Sequence, residues 1–358
     1  MRSPRQQLYD RFYYGFESAL NRLGRDVKTR LRMCRVKTDG EFRAAYREVI
    51  RPYWAGYGVR PGRHWVKLSY TVTHTLDPRN IPRNLWFGRI IPHFNSPVYE
   101  RQLQDKNLHH LMFPGVKRPE TVYKCLGGDY AEDDLRPIDR ETAVARCLGP
   151  GAYIVKPTTS TFEGKGIRVF RDADGQEDIR ALLASYDGTD HIVQRFVSQH
   201  PALAAFNAST LNTIRIVTLV LHGEVHVLSS ILRVGAPGNF VDNVSQGGYQ
   251  CTIGPDGRLE KLAYTHRDGV SSYVETTASG ARFEGFAIPA WGRLRDTACE
   301  LALRLPYMKL IGWDLAVDDA GDVVFIEFNA LPEQNEATCG PSFGEITDEV
   351  LEEVFGRK

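Results

Sequence analysis

No run of about 18 apolar residues occurs in the chain, so the sequence predicts no transmembrane helix. The first residues, Met-Arg-Ser-Pro-Arg-Gln-Gln, lead into a charged amphipathic stretch without an apolar h-region, which argues against a secretory signal. Cysteine is sparse and scattered (Cys34, Cys125, Cys147, Cys251, Cys299, Cys339) with no Cys-x-x-Cys pair. That spacing supports neither a zinc site nor a disulfide scaffold and fits a reducing cytoplasm. Two familiar nucleotide signatures are missing as well. Gly164-Lys165 is followed by Gly166 rather than Ser or Thr, so there is no Walker A loop. No Gly-x-Gly-x-x-Gly follows a strand, which leaves a Rossmann dinucleotide site unsupported. Internal repeats and low-complexity tracts are absent too.

What remains is the composition of a globular protein: 358 residues, 42% hydrophobic and 25% charged, enough for two or three structural units. The net charge of +1 hides an asymmetry, since residues 1–51 carry thirteen Lys/Arg against six Asp/Glu while Glu345 to Glu353 is acidic. Leu8, Phe12, Phe16, Ala19 and Leu23 recur at helical spacing, so the basic residues decorate amphipathic helices. A solvated helical face explains that charge; a basic surface for a membrane, nucleic acid or anionic carrier is the alternative. No recognisable nucleic-acid module accompanies it, and no nucleic-acid partner is expected.

Along the chain, residues 1 to about 58 read as helical. The block from His64 to Asn107 mixes a strand-like run at Trp65–Thr73 with loops punctuated by proline. An acidic helix start follows at Asp129 to Asp134, then a hairpin of Ala152–Pro157 with Ile167–Phe170, a helix near Gln176–Ser185 and a strand at His191–Val197. The longest strand signals come last: Asn212–Leu221, Glu224–Val234, Gly248–Ile253 and the pair Ile311–Val317 with Asp322–Asn329, with a helix near Pro289–Leu305 between them. This interleaving predicts α/β or α+β layers with several antiparallel hairpins.

Three constellations carry chemistry. In the last hairpin a turn centred on Asp319-Ala320 places Asp314 opposite Phe325 and one diagonal step from Glu327. Alternation then puts Asp314, Glu327 and Asn329 on one face, with Val324, Ile326 and Phe328 on the core face. Two carboxylates and an amide oxygen form a hard-oxygen pocket suited to Mg2+ with phosphate; an ordinary amphipathic hairpin with a solvated acidic face is the other reading. The second is Lys156, which ends a strand and leads into a Thr/Ser/Gly loop (Thr158, Thr159, Ser160, Thr161, Gly164, Lys165, Gly166) able to fold over polyphosphate, or to be a plain surface loop. The third is Arg215, a guanidinium in an otherwise apolar strand beside Asn212 and Thr213, able to brace a triphosphate or to pair with a neighbouring carboxylate.

Asp105-Lys106-Asn107, the Lys156 hairpin with its Gly-Lys-Gly loop, Asn212-Thr-x-Arg215 and Asp314…Glu327-x-Asn329 occur in the order and spacing of the ATP-grasp superfamily, which the sequence resembles over roughly residues 64–340. Ile81-Pro82 leading to Pro92-His-Phe-Asn95, Gln199-His-Pro201 and Asp242-Asn-Val-Ser-Gln-Gly-Gly248 look like its sugar-transfer-associated branch. The resemblance implies an α+β (α/β) ATP-grasp fold in which two α+β subdomains clasp ATP, preceded by N-terminal helices. Its divisions would be a helical region at 1–60, a first subdomain at 61–116, a lid at 117–197 and a catalytic subdomain at 198–358. It also implies roles. Lys106 and Lys156 would contact the phosphates, and the loop from Thr158 to Gly166 would close over them. Gln194, Arg195, Phe196 and Val197 would form a hinge beside adenine, with Asn212 nearby. Asp314, Glu327 and Asn329 would hold one or two Mg2+, or Mn2+. Arg215 would stabilise the transferred phosphoryl group and, with Lys156, act catalytically. Arg195 stands where related hinges often carry an acid, so ribose contacts are not assigned.

The implied chemistry is that of a cytoplasmic ligase for biosynthesis. ATP phosphorylates a carboxylate, and an amine, a thiol or a carrier-bound nucleophile attacks the acyl phosphate. Substrate contacts are expected at Asp242, Asn243, Gln246, Gly247 and Gly248 and at Glu333 and Asn335, loops that are otherwise plain connectors. A kinase using the same apparatus, with Asp242 or His200 as base, and a non-catalytic nucleotide-binding module are the alternatives. A homodimer is the default assembly.

Overall fold

The computed structural model describes residues 24–357 apart from 160–165, 237, 239–243 and 268–269. The helical spacing from Leu8 to Leu23 lies outside the described residues. The chain divides into two compact units, one reaching as far as Phe94 and including Gln334 onward, the other running Asn95–Glu333. Among the described residues no helix is long and apolar enough to cross a membrane.

The first unit is helical. Gly40–Ala45, Tyr46–Ile50 and Arg51–Ala55 run on without a break, and the Asp39 carboxylate caps their start by accepting the Phe42 N–H at 2.8 Å. Pro52 has no N–H to give, and the turn before it is wider, with the Arg51 N–H reaching back five residues to the Tyr46 carbonyl. Arg63–Thr73 is a helix, which corrects the strand-like reading of Trp65–Thr73. Val66, Thr71, Val72 and Thr73 favour strands locally, but Trp65, Val66 and Thr73 lie on one helical side and are buried, and packing overrides propensity. The acidic C-terminal stretch forms Thr347–Phe355, whose Asp348 accepts the Tyr57 hydroxyl at 2.9 Å while Phe355 meets the buried Trp54 ring at 6.3 Å.

Glu336 is buried in this unit, and its Oε1 accepts the Ile81 N–H at 2.9 Å and the Ser342 hydroxyl at 2.7 Å. Burial outweighs those bonds and pushes the carboxyl up to about 7. The folded protein therefore holds a proton that the unfolded chain releases near 4.5. The resulting stability is complete below that value and is lost as pH rises towards 7, at up to about 1.4 kcal/mol per pH unit. Urea unfolding at pH 5, 6, 7 and 8 should show this decline in the wild type and not in Glu336→Gln; parallel curves would refute it.

The second unit carries two antiparallel sheets. The first comprises β1 (Thr121–Leu126), β2 (Asp129–Ala131), β3 (Pro137–Ile138), β4 (Ala152–Pro157), β5 (Arg168–Arg171) and β6 (His191–Arg195), in the order β3-β2-β1-β6-β4-β5. Gly127 and Gly128, with φ of 61° and 96°, form the two-residue turn that closes Leu126 against Asp129. Asp129–Asp134 is therefore a strand and a turn, not the helix start that its acidic residues suggested. Tyr123, Tyr153, Val155 and Phe170 pack this sheet against Val144, Ile179 and Leu183 of the helices Arg140–Ala145 and Gln176–Ala184.

The second sheet comprises β7 (Thr213–Leu221), β8 (Glu224–Val234), β9 (Tyr249–Ile253), β10 (Leu259–Arg267), β11 (Val270–Val274), β12 (Leu310–Val317) and β13 (Val323–Asn329), in the order β11-β10-β9-β8-β7-β12-β13. Ile214, Ile216, Leu232, Cys251, Ala263, Trp313 and Leu315 form one face of it and bury against Leu294, Ala298 and Leu301 of the helix Trp291–Leu303. The residues between them face the other way, and that second face carries Arg215, Arg233 and Asp314 among apolar neighbours such as Ile231 and Ala316.

The register of the last hairpin differs from the expected one. Asp314 pairs with Glu327, and Leu315 with Phe325, so Ile326 is one residue extra on β13. The bulge turns Phe325 into the core and takes Ile326 out of it, correcting the expectation that Ile326 packs there. Alternation alone cannot show an inserted residue, and the turn-centred count runs straight through it.

Candidate active site

The polar face is built by register. Asp314 sits in β12 between Arg215 of β7 and Glu327 of β13, and Asn329 pairs with Gly312 two residues along. The strand pairing thus puts Asp314, Glu327 and Asn329 on one face, with Arg215 beside them. Arg215 grips Asp314 with two bonds, Nε to Oδ1 at 2.5 Å and Nη2 to Oδ2 at 2.6 Å, and both side chains are buried. Gly312 makes room for this grip, because a Cβ there would stand 3.2 Å from the Arg215 Cδ. Arg233 of β8 reaches both Asp314 oxygens at 3.4 Å. Two guanidiniums around one carboxylate leave local positive charge, which favours an anionic ligand.

Beside this face two lysines converge on Glu327. The Asp105 carboxylate accepts the Asn107 N–H at 3.0 Å, and the buried Asn107 side chain donates to the Cys125 carbonyl at 3.1 Å, which fixes the turn bearing Lys106. Lys106 Nζ lies 3.2 Å from Glu327 Oε2. Lys156, at the end of β4, is buried; burial lowers its ammonium to about 8, against the opposing pull of Glu327. Burial alone would raise the Glu327 carboxyl, but Lys106 and Lys156 hold it down to about 2. Glu327 is therefore an anion, and Lys156 is chiefly a cation, at neutral pH.

The lysines also line a pocket with His109, Arg118, Pro119, Gln194, Phe325 and Ile326. Its accessible cavity is only about 10 Å3, room for a single water, far below the ~300–1,000 Å3 common for ligand sites. Arg118 is held by Asp133 at 3.3 Å, and Asp133 in turn pairs with the fully buried Lys124 at 3.1 Å.

Other expected residues are placed differently. Asn212 falls on the core side of the strand, opposite in phase to Arg215, and is fully buried. Its amide donates to Gln199 Oε1 and to the Leu203 and Asn207 carbonyls, each at 2.9 Å, so it ties a loop and does not face the polar side. Arg195 turns its guanidinium onto the Tyr153 ring, 5.1 Å from the centroid, and towards Glu120. The Arg195 and Phe196 N–H groups bond the Glu120 and Ala152 carbonyls at 2.8 Å, so those two donors are spent in the sheet, and of the expected hinge only Gln194 lines the pocket.

Thr158 is buried, its carbonyl accepting the Lys106 N–H at 3.3 Å, while Thr159 and Gly166 are exposed and Tyr186 donates to the Gly166 carbonyl at 2.6 Å. Ser160, Thr161, Gly164, Lys165, Asp242 and Asn243 lie outside the described residues. Gln246 ends a short 3-10 turn, and Gly247 (φ 84°) packs against the Arg267 guanidinium, its Cβ position 3.3 Å from Nε, with Gly248 leading into β9. Glu333 is the exposed last residue of the second unit, and Asn335 belongs to the first, where its carbonyl accepts the Cys339 N–H at 2.8 Å. His109, Arg118, Arg233 and Ile326 were not anticipated. Arg233 had a readable signal, a charge inside the apolar run Ile231-Leu232-Arg233-Val234, the same signal that marked Arg215.

The donor set fits Mg2+. Glu327 and Asn329 offer hard oxygens; Asp314 already faces Arg215 and Arg233 with all of its about four lone-pair positions, so a cation there would take the place of the 3.4 Å Arg233 contacts. Among the described residues no three His, Cys, Asp or Glu side chains gather into a metal cage, so phosphate or water oxygens would complete the shell.

The family model described as sugar-transfer associated ATP-grasp matches residues 88–338, and the chain belongs to that family. No curated protein matches the sequence. Solved structures are similar at low identity. The ATP-grasp ligase PsnB complexed with a minimal precursor is 14% identical, with 73% of this chain and 64% of that chain covered and a TM-score of 0.40. D-alanyl-alanine synthetase A from Vibrio cholerae O1 is 12% identical, covering 71% and 64%, with a TM-score of 0.44. Biotin carboxylase from Campylobacter jejuni is 13% identical, covering 72% and 47%, with a TM-score of 0.41. The chain thus spans less than two thirds of the length of these proteins.

Proposed function

We propose that the protein is a Mg-ATP-dependent ligase that activates a carboxylate as an acyl phosphate and joins it to an amine or thiol, in secondary or surface-glycan metabolism. The observation that carries this reading is the convergence of Lys106 and Lys156 on Glu327, with Arg215 and Arg233 on the adjoining sheet face. The lysines take the phosphates. Mg2+ on Glu327, Asn329 and Asp314 would supply Lewis-acid charge to the phosphate oxygens.

Arg215 and Arg233 face the group that receives the phosphoryl. A carboxylate oxygen of the substrate attacks the γ-phosphorus, the bond to the bridging oxygen breaks, and ADP leaves. The two guanidiniums offset the charge in flight, which is electrostatic positioning rather than proton transfer. A neutral amine then attacks the acyl carbon, phosphate leaves, and the amine loses a proton. A kinase would need a base at the acceptor, and His200 is engaged elsewhere: its Nδ1 accepts the Ala202 N–H at 3.2 Å.

The test is hydroxylamine trapping with Mg-ATP and a panel of sugar acids and amino acids. Hydroxamate appearing with ADP supports the ligase. A stable phosphorylated product identifies a kinase instead, and the absence of both hydroxamate and ADP across the panel defeats the proposal.

A further inference from the structure

We infer that the basic helix at residues 24–34 docks the protein on an anionic lipid bilayer through the exposed apolar pair Val27 and Leu31. This goes beyond the ligase reading and does not depend on it.

One side of the helix is anchored in the first unit. Asp26 Oδ1 accepts the Trp65 indole N–H at 2.8 Å and lies 2.8 Å from His64 Nε2. Met33 is buried, and Lys67 donates to its carbonyl at 2.7 Å. Val27 and Leu31, one turn apart, fall on the other side and are 49% and 64% exposed. By helical phase Lys28 borders this pair on one flank and Arg30 on the other, and Arg32 and Arg35 are exposed as well. An apolar pair inside a belt of cations is what a helix lying in a membrane interface presents: the apolar side chains enter the acyl boundary and the cations meet lipid phosphates.

The sequence extends both halves of this pattern. Leu8, Phe12, Phe16, Ala19 and Leu23 lead up to Val27 and Leu31 in steps of four residues with a single step of three. Residues 1–37 carry ten Lys/Arg against three Asp/Glu, whereas the remainder of the chain has 35 against 41. The positive charge is thus confined to the segment that bears the stripe, and the rest of the molecule is net acidic. A merely solvated helix face has no use for Val27 and Leu31. A nucleic acid would engage the arginines and leave that pair in water. A coiled-coil seam with a second copy alternates steps of three and four, which this stripe does not.

Co-sedimentation of the full chain with phosphatidylcholine vesicles, and with vesicles containing about one third phosphatidylglycerol, tests this at low and high salt. The wild type should sediment with the anionic vesicles only and be released by salt. Val27→Asp with Leu31→Asp should lower the affinity by about tenfold or more, and Lys28→Ser with Arg35→Ser should lower it too. A wild type that does not sediment with anionic vesicles overturns the inference. So does binding that the double Asp variant leaves unchanged, because charge attraction alone then accounts for it. A wild-type dimer that the same variant makes monomeric, without vesicle binding, gives the stripe to a second copy and also overturns it. Should the Asp variant not fold, Val27→Ser with Leu31→Ser carries the same expectation. Vesicle binding requires no turnover, so failure of the ligase reading leaves this result standing.

Discussion

Asp314→Asn should destabilise the second unit by about 3–5 kcal/mol, the range for breaking a buried ion pair from one side. Arg215 and Asp314 are both nearly inaccessible and meet through two short bonds, and Arg233 shares the same carboxylate. The amide keeps the shape but removes the charge, so two guanidiniums lose their common counter-ion in a medium that solvates them poorly. Shape-matched apolar replacement of both partners is a different case, because no charge is then left stranded. Arg215→Met combined with Asp314→Leu should therefore recover most of the lost stability while leaving the protein inactive. Chemical denaturation followed by tryptophan fluorescence, with Trp313 adjacent in the chain, measures both. An Asp314→Asn variant within about 1 kcal/mol of wild type would show that the pair is well solvated and that the register argument overstates its burial.

Glu327→Gln should reduce turnover by roughly 10^2–10^3-fold, the loss typical when one preorganised electrostatic group is removed from a transition-state site. Glu327 neutralises part of the Lys106 and Lys156 charge and orients Lys106 at 3.2 Å, and in the proposed reaction it would offer oxygen to a cation. Gln retains the size and one oxygen, so the fold should survive, with a melting temperature close to that of the wild type. The readout is ADP release under saturating Mg-ATP, compared with nucleotide binding by calorimetry. A variant within tenfold of wild-type turnover would remove Glu327 from the machinery and turn its lysine contact into plain scaffolding.

The strands were legible where alternation was strong. β7, β8 and β12 follow their apolar positions closely, and the shared face of Glu327 and Asn329 came from the period of two, while Asp314 was added through a turn-centred register that the bulge replaces. What could not be read was non-local. The Arg215–Asp314 grip depends on β7 lying beside β12, ninety-nine residues apart, and the sequence offered phosphate bracing and carboxylate pairing as alternatives for the same guanidinium. Asn212 was assigned by its neighbours in the motif, whereas its phase in the strand already placed it on the opposite side from Arg215. His109 gave no signal, because a histidine three residues beyond Lys106 means nothing until Phe113, Phe325 and Phe328 surround it. The helix Arg63–Thr73 was misread for the converse reason: local propensity pointed one way and burial decided the other.

The extra residue in β13 has a consequence for how such a site can change. Because Ile326 has no partner across the ladder, excising it would leave Glu327 opposite Asp314 and Phe325 opposite Leu315, a regular hairpin with the acidic pair intact. The pocket would lose Ile326 from its lining and keep Phe325 and Pro119. The apolar residue that this hairpin adds to the pocket and its acidic pair are thus separable by a single codon, so a lineage can reshape the lining without moving Asp314 or Glu327 out of register.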